Sequence, residues 1–236
     1  FDDFSTSNIF PNQSLWDGRS VFVNKDFPYM PVNIGAATFD AIDSTGNIYS
    51  TGSIAPFEAD RLMTQNIRLD SIFIPVGRKL TPADSVYLSF FYQPQGVGDA
   101  PQLRDSLILE FSRYTGNLVY SHMDSITVIS NIYLQNPGDT IRALDTLWAP
   151  ASLGCNPLVF TIAYINIPWG DSVTVACDSV FVPEINWDRM WYSEGLSLEE
   201  FKVIYNRDMI QVMIPVIDTS YFIDEFRFRF RNYASL

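Results

Sequence analysis

Val86, Leu88, Phe90 and Tyr92 occupy every second position of one stretch, and Leu107, Leu109 and Phe111 do so again beyond a loop rich in Gly, Pro and Gln. A period of two puts each set on one face of a half-buried β-strand. The same design returns near the end, where Phe226, Phe228 and Phe230 alternate with Arg227, Arg229 and Arg231. Ile210, Val212, Ile214 and Val216 form another such face, and Val21 and Val23 a shorter one. Ser44-Thr45-Gly46-Asn47 has the small polar residues of a tight turn. Residues 59–64 read as a helical turn or a loop, because Ala59, Leu62 and Met63 show no simple period. Ser197-Leu198-Glu199-Glu200 matches a capping box and predicts the one helix of note. Between residues 113 and 186 lie further strand patterns at 125–134, 140–148, 158–167 and 172–182. Asn136-Pro137-Gly138-Asp139 and Pro168-Trp169-Gly170-Asp171 separate them with turn chemistry. The pattern as a whole predicts an all-β, antiparallel sandwich interrupted by a β-rich insertion.

Composition narrows the class of partner. The chain has 236 residues, 47% of them hydrophobic and 15% aromatic, which is enough to bury a substantial core. Charged residues make up 18%, below the roughly 25% of an average soluble domain, so the surface is built from Ser, Thr, Asn and Gln. The net charge of −12 argues against nucleic acid or an anionic membrane as partner, since phosphate contact needs clustered Lys and Arg. There is no run of about 18 apolar residues, the length a membrane-spanning helix requires. The start at Phe1 leads us to expect a removed leader or upstream region, and the run ending at Leu236 to expect a further strand. Cys155 and Cys177 permit one disulfide, with a buried reduced pair as the alternative. If residues 168–171 close a simple hairpin, Cys177 lies opposite Ile162, and a bond would need Cys155 on a neighbouring strand.

Four segments taken together carry a resemblance: Gly35-Ala36-Ala37-Thr38-Phe39-Asp40, Ser89-Phe90-Phe91-Tyr92-Gln93-Pro94-Gln95-Gly96, residues 105–111, and Phe228-Arg229-Phe230-Arg231-Asn232-Tyr233. They resemble a jelly-roll module of exported Bacteroidota proteins associated with type IX secretion, and more distantly MAM and lectin-like sandwiches. Trp187, Trp191, Gly195 and Phe201 fit the same pattern, the two tryptophans as expected core residues. The resemblance covers residues 1–112 and 187–236 and leaves 113–186 as an insertion. It implies an exported, cell-surface or outer-membrane-associated protein with a binding or structural role and no family-wide catalytic residues. A structural Ca²⁺ held by Asp2, Asp3 and Asp40 is also implied, since carboxylates are the hard oxygen ligands such an ion takes. Asp followed by Ser or Thr and an aliphatic residue resembles the O-glycosylation sequon of such proteins. It marks Ser71, Ser85, Ser106, Ser125, Thr140, Thr146, Ser172 and Ser179, although Asp-Ser pairs also open strands for purely local reasons.

Candidate chemistry is sparse. His122 is the single histidine, and the chain contains no HExxH, CxxC pair, P-loop or GxSxG. Gly96-Val97-Gly98-Asp99 lacks the following helix of a phosphate loop. Asp2 with Asp3, and Glu199 with Glu200, are adjacent residues that cannot face one cleft along a strand, whereas glycosidases set two carboxyls about 5–9.5 Å apart. Trp169 at a hairpin tip and Trp148 are candidate platforms for sugar stacking. Gln93, Gln95 and Asp99 are candidates to line a ligand site. The expectation is a non-enzymatic envelope or surface module that binds a protein partner, in an assembly linked to type IX secretion or gliding. The alternative is a carbohydrate-binding module that takes a glycan.

Overall fold

A computed structural model describes residues 2–5, 8–129, 140–141, 145–148, 159–162, 167–170 and 172–236. The early strands are β1 (Trp16–Asp17), β2 (Phe22–Asn24), β3 (Ala36–Thr38), β4 (Phe57–Thr64), β5 (Ser71–Ile72), β6 (Arg78–Lys79) and β7 (Tyr87–Tyr92). Next come the long β8 (Ser106–Ile129), then β9 (Thr140–Ile141), β10 (Asp145–Trp148), β11 (Val159–Ile162), β12 (Ile167–Pro168) and the long β13 (Ser172–Glu194). The chain finishes with α1 (Leu198–Tyr205), β14 (Ile210–Pro215) and β15 (Phe228–Ala234). The architecture is all-β with antiparallel pairing and, among the described residues, one α-helix. Cys155 and the turn expected at 136–139 lie outside the described residues.

Two compact units divide the chain, residues 1–114 with 185–236, and residues 115–184. In the first, a five-stranded sheet has the order β1-β4-β15-β8-β13, and β7 pairs with β14 in a separate ribbon. The alternation seen in the sequence explains the packing. Leu109, Phe111, Phe226, Phe228 and Phe230 are buried, and Leu88, Phe90 and Ile214 of the ribbon pack on them together with Val86 just before it. Phe90 meets Phe230 edge-on at 4.9 Å and Trp191 at 5.3 Å, so the ribbon lies against the sheet as a second layer around one aromatic core. In the second unit β12 pairs with β9 and β10 with β11, and Thr115 and Asn117 donate to the Glu184 carboxylate at 2.6 and 3.0 Å.

Two expectations need correcting. Residues 59–64 are neither helical turn nor loop but most of β4, held between β1 and β15. Phe57 and Ala59 pack in a small cluster with Ala234, below Ala41 and Tyr49, while Leu62 belongs to the main core. The strand keeps the same sheet face buried, but between Glu58 and Arg61 it carries one residue more than β15 does between Tyr233 and Arg231, and this bulge switches the buried parity and erases the period. Trp187 does not join the core with Trp191. Its ring lies 3.9 Å from the Arg229 guanidinium, which also donates to Glu110 at 2.6 Å from its cross-strand position. The cationic face of β15 is therefore covered by a carboxylate and an indole.

The helix forms where the capping box predicts. Ser197 accepts from the Glu200 amide at 3.2 Å, and Glu200 accepts from the Ser197 amide at 2.9 Å, satisfying two otherwise unpaired donors. Phe201 is the buried anchor of α1, against Tyr92 and Val212. Removing the cap with Ser197→Ala is expected to cost about 0.5–2 kcal/mol in a denaturant titration. Just before the helix, a Cβ on Gly195 would stand 2.0 Å from the Gln102 carbonyl oxygen, so only glycine permits that approach.

Candidate functional site

The polar loop after β7 is fastened from both sides. Gln93 donates to the carbonyls of Tyr29 and Asp208 at 2.8 and 2.9 Å and accepts from the Tyr29 amide at 2.9 Å. Gln95 donates to the Gly98 carbonyl at 2.7 Å and accepts from the Leu198 amide in the first turn of α1 at 2.8 Å. A Cβ on Gly96 would lie 2.3 Å from the Phe27 carbonyl oxygen, which receives the Val97 amide at 2.9 Å. Both glutamine amides thus take the place of backbone partners, while Asp99 sits exposed at the loop's far side. The Gln-Pro-Gln-Gly segment does positional work, locking the residue 27–29 segment and α1 to the end of the ribbon.

The three carboxylates expected to share a cation are each engaged locally. Asp2 accepts from the Trp16 indole at 2.6 Å and from the Phe4 amide at 2.9 Å. Asp3 accepts from the Ser5 amide at 3.0 Å and Asp40 from the Ile42 amide at 2.8 Å. The hydrogen bonds from Ser5 hold Asp3 below the usual carboxylate range, whereas burial pushes Asp40 up. Among the described residues no three His, Cys, Asp or Glu side chains come together as a metal site.

Asp60, which the sequence did not single out, is the most perturbed carboxyl of the chain's first unit. It is fully buried, accepting from the Tyr49 hydroxyl at 2.8 Å and the Asp40 amide at 2.6 Å. Burial raises it to about 7, with Asp40's charge adding to the rise and both hydrogen bonds opposing it. Tyr49 is raised as well, by burial and by Asp60. Two titratable groups facing each other inside a fold form a catalytic arrangement only if a substrate can reach them. Asp60 has no exposed atom, so its chemistry is structural: it ties the residue 40–49 turn region to β4.

A cavity of about 960 Å³ lies within the first unit, between the inner faces of β4, β7 and β15 and the segments around Phe4, Trp16 and residues 36–39. Its walls include Leu62, Leu88, Phe90, Phe228 and Phe230. Several polar groups at its margin already have partners. Asp105 accepts from the Gln102 amide at 2.8 Å and from Ser235 at 2.5 Å, and Asn232 donates to the Asp40 carbonyl at 2.9 Å. What the cavity offers a ligand is apolar wall.

No family model, curated protein or solved structure matches this chain.

Its functional reading therefore stands on surfaces, and the most unusual of these is the outward face of the ribbon. Tyr87, Phe91 and Met213 are 52%, 47% and 55% exposed, and Gln211 donates to Ser89 at 2.8 Å between them. Register places Tyr87 opposite Pro215, Ser89 opposite Met213 and Phe91 opposite Gln211. The signal was present in residues 87–92, where both alternating sets contain aromatics, but the inward set alone was enough to define the strand. Trp169 is exposed in the turn after β12. Trp148 lies in β10 opposite Val159, its side chain outside the described residues. Of the Asp-Ser/Thr positions, Ser85 is exposed behind a single 3-10 turn, with φ of 54°. Ser71 donates to Asp70 at 3.1 Å, and Ser106 is half-buried opposite Tyr233. Ser125, Thr140, Thr146, Ser172 and Ser179 lie in β8, β9, β10 and β13, with side chains outside the described residues.

Proposed function

We propose that this chain is a non-enzymatic binding module of the bacterial cell envelope, an accessory part of a larger protein assembly of the type IX secretion or gliding kind. Its sandwich would be of the jelly-roll type, with residues 113–186 as an inserted, partner-specific element. The five-stranded antiparallel sheet with a two-stranded layer against it supports the sandwich part of that reading. The observation that carries the binding role is the outer face of β7 and β14. A half-buried antiparallel ribbon ordinarily turns polar residues to water, yet this one presents Tyr87, Phe91 and Met213 on a rigid strand pair. Aromatic and Met side chains on such a face are the composition of protein-contact cores.

The test is recovery of envelope proteins on the full chain and on a Phe91→Ser, Met213→Ser variant. An outer-membrane protein retained by the parent and reduced at least tenfold by the variant, with thermal unfolding unchanged, is the expected result. Equal recovery on both would overturn the reading. The exposed Trp169 favours a second reading, a carbohydrate-binding module in which the indole stacks on a sugar face. Glycan-array binding that disappears in Trp169→Ala and persists in the ribbon variant would establish that alternative in place of the first.

A further inference from the structure

The hairpin of β5 and β6 carries a concentrated exposed apolar surface. Ile72-Phe73-Ile74-Pro75-Val76-Gly77 contains no polar side chain, although loops between strands are ordinarily polar. Phe73, Ile74 and Val76 are 66%, 86% and 74% exposed. They lie at the tip of a two-rung hairpin with most of their surface exposed, suited to entering a soft or concave partner.

Register orders the charges behind that tip. The first rung pairs Ile72 with Arg78 and the second Ser71 with Lys79. The Arg68 guanidinium also stands 5.5 Å from the Phe73 ring centroid. The acids come later: the Asp70 carbonyl receives the Leu80 amide at 2.9 Å beyond the second rung, its carboxylate pairs with Arg68 at 3.9 Å, and Asp84 pairs with Arg78 at 2.6 Å. Along its axis the hairpin therefore runs from apolar to cationic to mixed charge, in a chain whose net charge is −12. A bilayer surface has the complementary order of acyl chains, lipid phosphates and water, and long cationic side chains lie well at its phosphate level.

The geometry points to this tip as a membrane-contact element, with Phe73, Ile74 and Val76 entering the acyl–headgroup boundary of a bilayer and Arg68, Arg78 and Lys79 meeting lipid phosphates. It stands on the hairpin alone and goes beyond the partner-binding role of the ribbon. The chain's overall negative charge opposes approach to an anionic surface, so binding depends on both the apolar tip and its cations. Neither net charge nor the lack of a long apolar run in the sequence reveals such a site, because it is four residues long and locally opposite in charge.

The test is sedimentation of the full chain with sucrose-loaded vesicles of phosphatidylethanolamine and phosphatidylglycerol. The parent chain is expected to partition onto vesicles, Ile74→Asp with Val76→Asp to reduce partitioning at least tenfold, and Arg78→Gln with Lys79→Gln to reduce it severalfold. These side chains are exposed, so circular dichroism and the unfolding midpoint should not move. Failure of the parent to sediment with vesicles, or equal partitioning of the tip variant, would overturn the assignment. Concentration-dependent self-association lost in the tip variant, without vesicle binding, would replace it with a contact between copies.

Discussion

Phe228→Ala is expected to destabilise the chain by about 3–5 kcal/mol, near the lower end of that range. Phe228 is buried on β15, edge-on to Trp16 at 5.8 Å and to Phe230 at 6.1 Å, and paired in register with Phe111. Its removal takes contacts from three aromatic neighbours. The phenyl also borders the cavity beneath the N-terminal segment, so part of its surroundings is already open and the new void adds less than in a close-packed position. Phe111, fully buried against Tyr221 and Phe226, has no such relief, and Phe111→Ala should cost as much or more. Phe73→Ala, at an exposed tip, is the contrast and should stay within about 0.5 kcal/mol. Urea titrations of the three variants decide the matter. A loss below about 1 kcal/mol for Phe228→Ala would mean that β15 turns its phenylalanines elsewhere.

What could be read in advance follows from where a single period governs a strand. β7, β14 and β15 each bury one parity throughout, so their inward residues were evident from alternation alone, as was the capping box of α1. β4 was missed because a bulge opposite Arg231 and Tyr233 adds one residue, so the buried parity passes from Phe57 and Ala59 to Leu62 and Thr64 on one face, and no single period runs through the strand. Trp187 was misplaced for a related reason: large apolar residues on β13 suggest core, but the outer sheet face had cations able to hold an indole. Among candidate sites, Gln93 and Gln95 were visible as residues, yet only tertiary structure shows their amides engaged by Tyr29, Asp208 and Leu198. Asp60 was legible in neither respect. A carboxylate among Ala59, Arg61 and Leu62 reads as a solvent position, and nothing local announces that Tyr49 and the Asp40 amide will close over it. The ribbon's outer aromatics and the 73–76 tip were legible as sequence but carried no meaning until exposure was known.

Asp60 should give the chain a pH dependence of opposite sign to that of an ordinary carboxylate. Its folded value of about 7 stands above the ordinary 3.8, so between those limits the folded state holds more protons than the unfolded state. Stability then falls as pH rises through that window. At about 1.4 kcal/mol per pH unit, the full interval corresponds to an upper limit of about 4 kcal/mol. Carboxyls held low by hydrogen bonds, such as Asp43 and Asp218, act the other way. Their contribution is complete above about pH 4 and is lost only as pH falls below it, so the two effects occupy different ranges. Urea unfolding at pH 5 and pH 8 is expected to show Asp60→Asn losing about 2–4 kcal/mol less than the parent chain over that interval. Asn cannot ionise and still presents one oxygen to Tyr49 or to the Asp40 amide. Tyr49→Phe removes a hydrogen bond that favours the ionised form, and should carry the parent's decline to higher pH. Parallel pH profiles for the parent and Asp60→Asn would show that Asp60 ionises freely, and hence that the turn around residues 40–49 does not close over β4 as described.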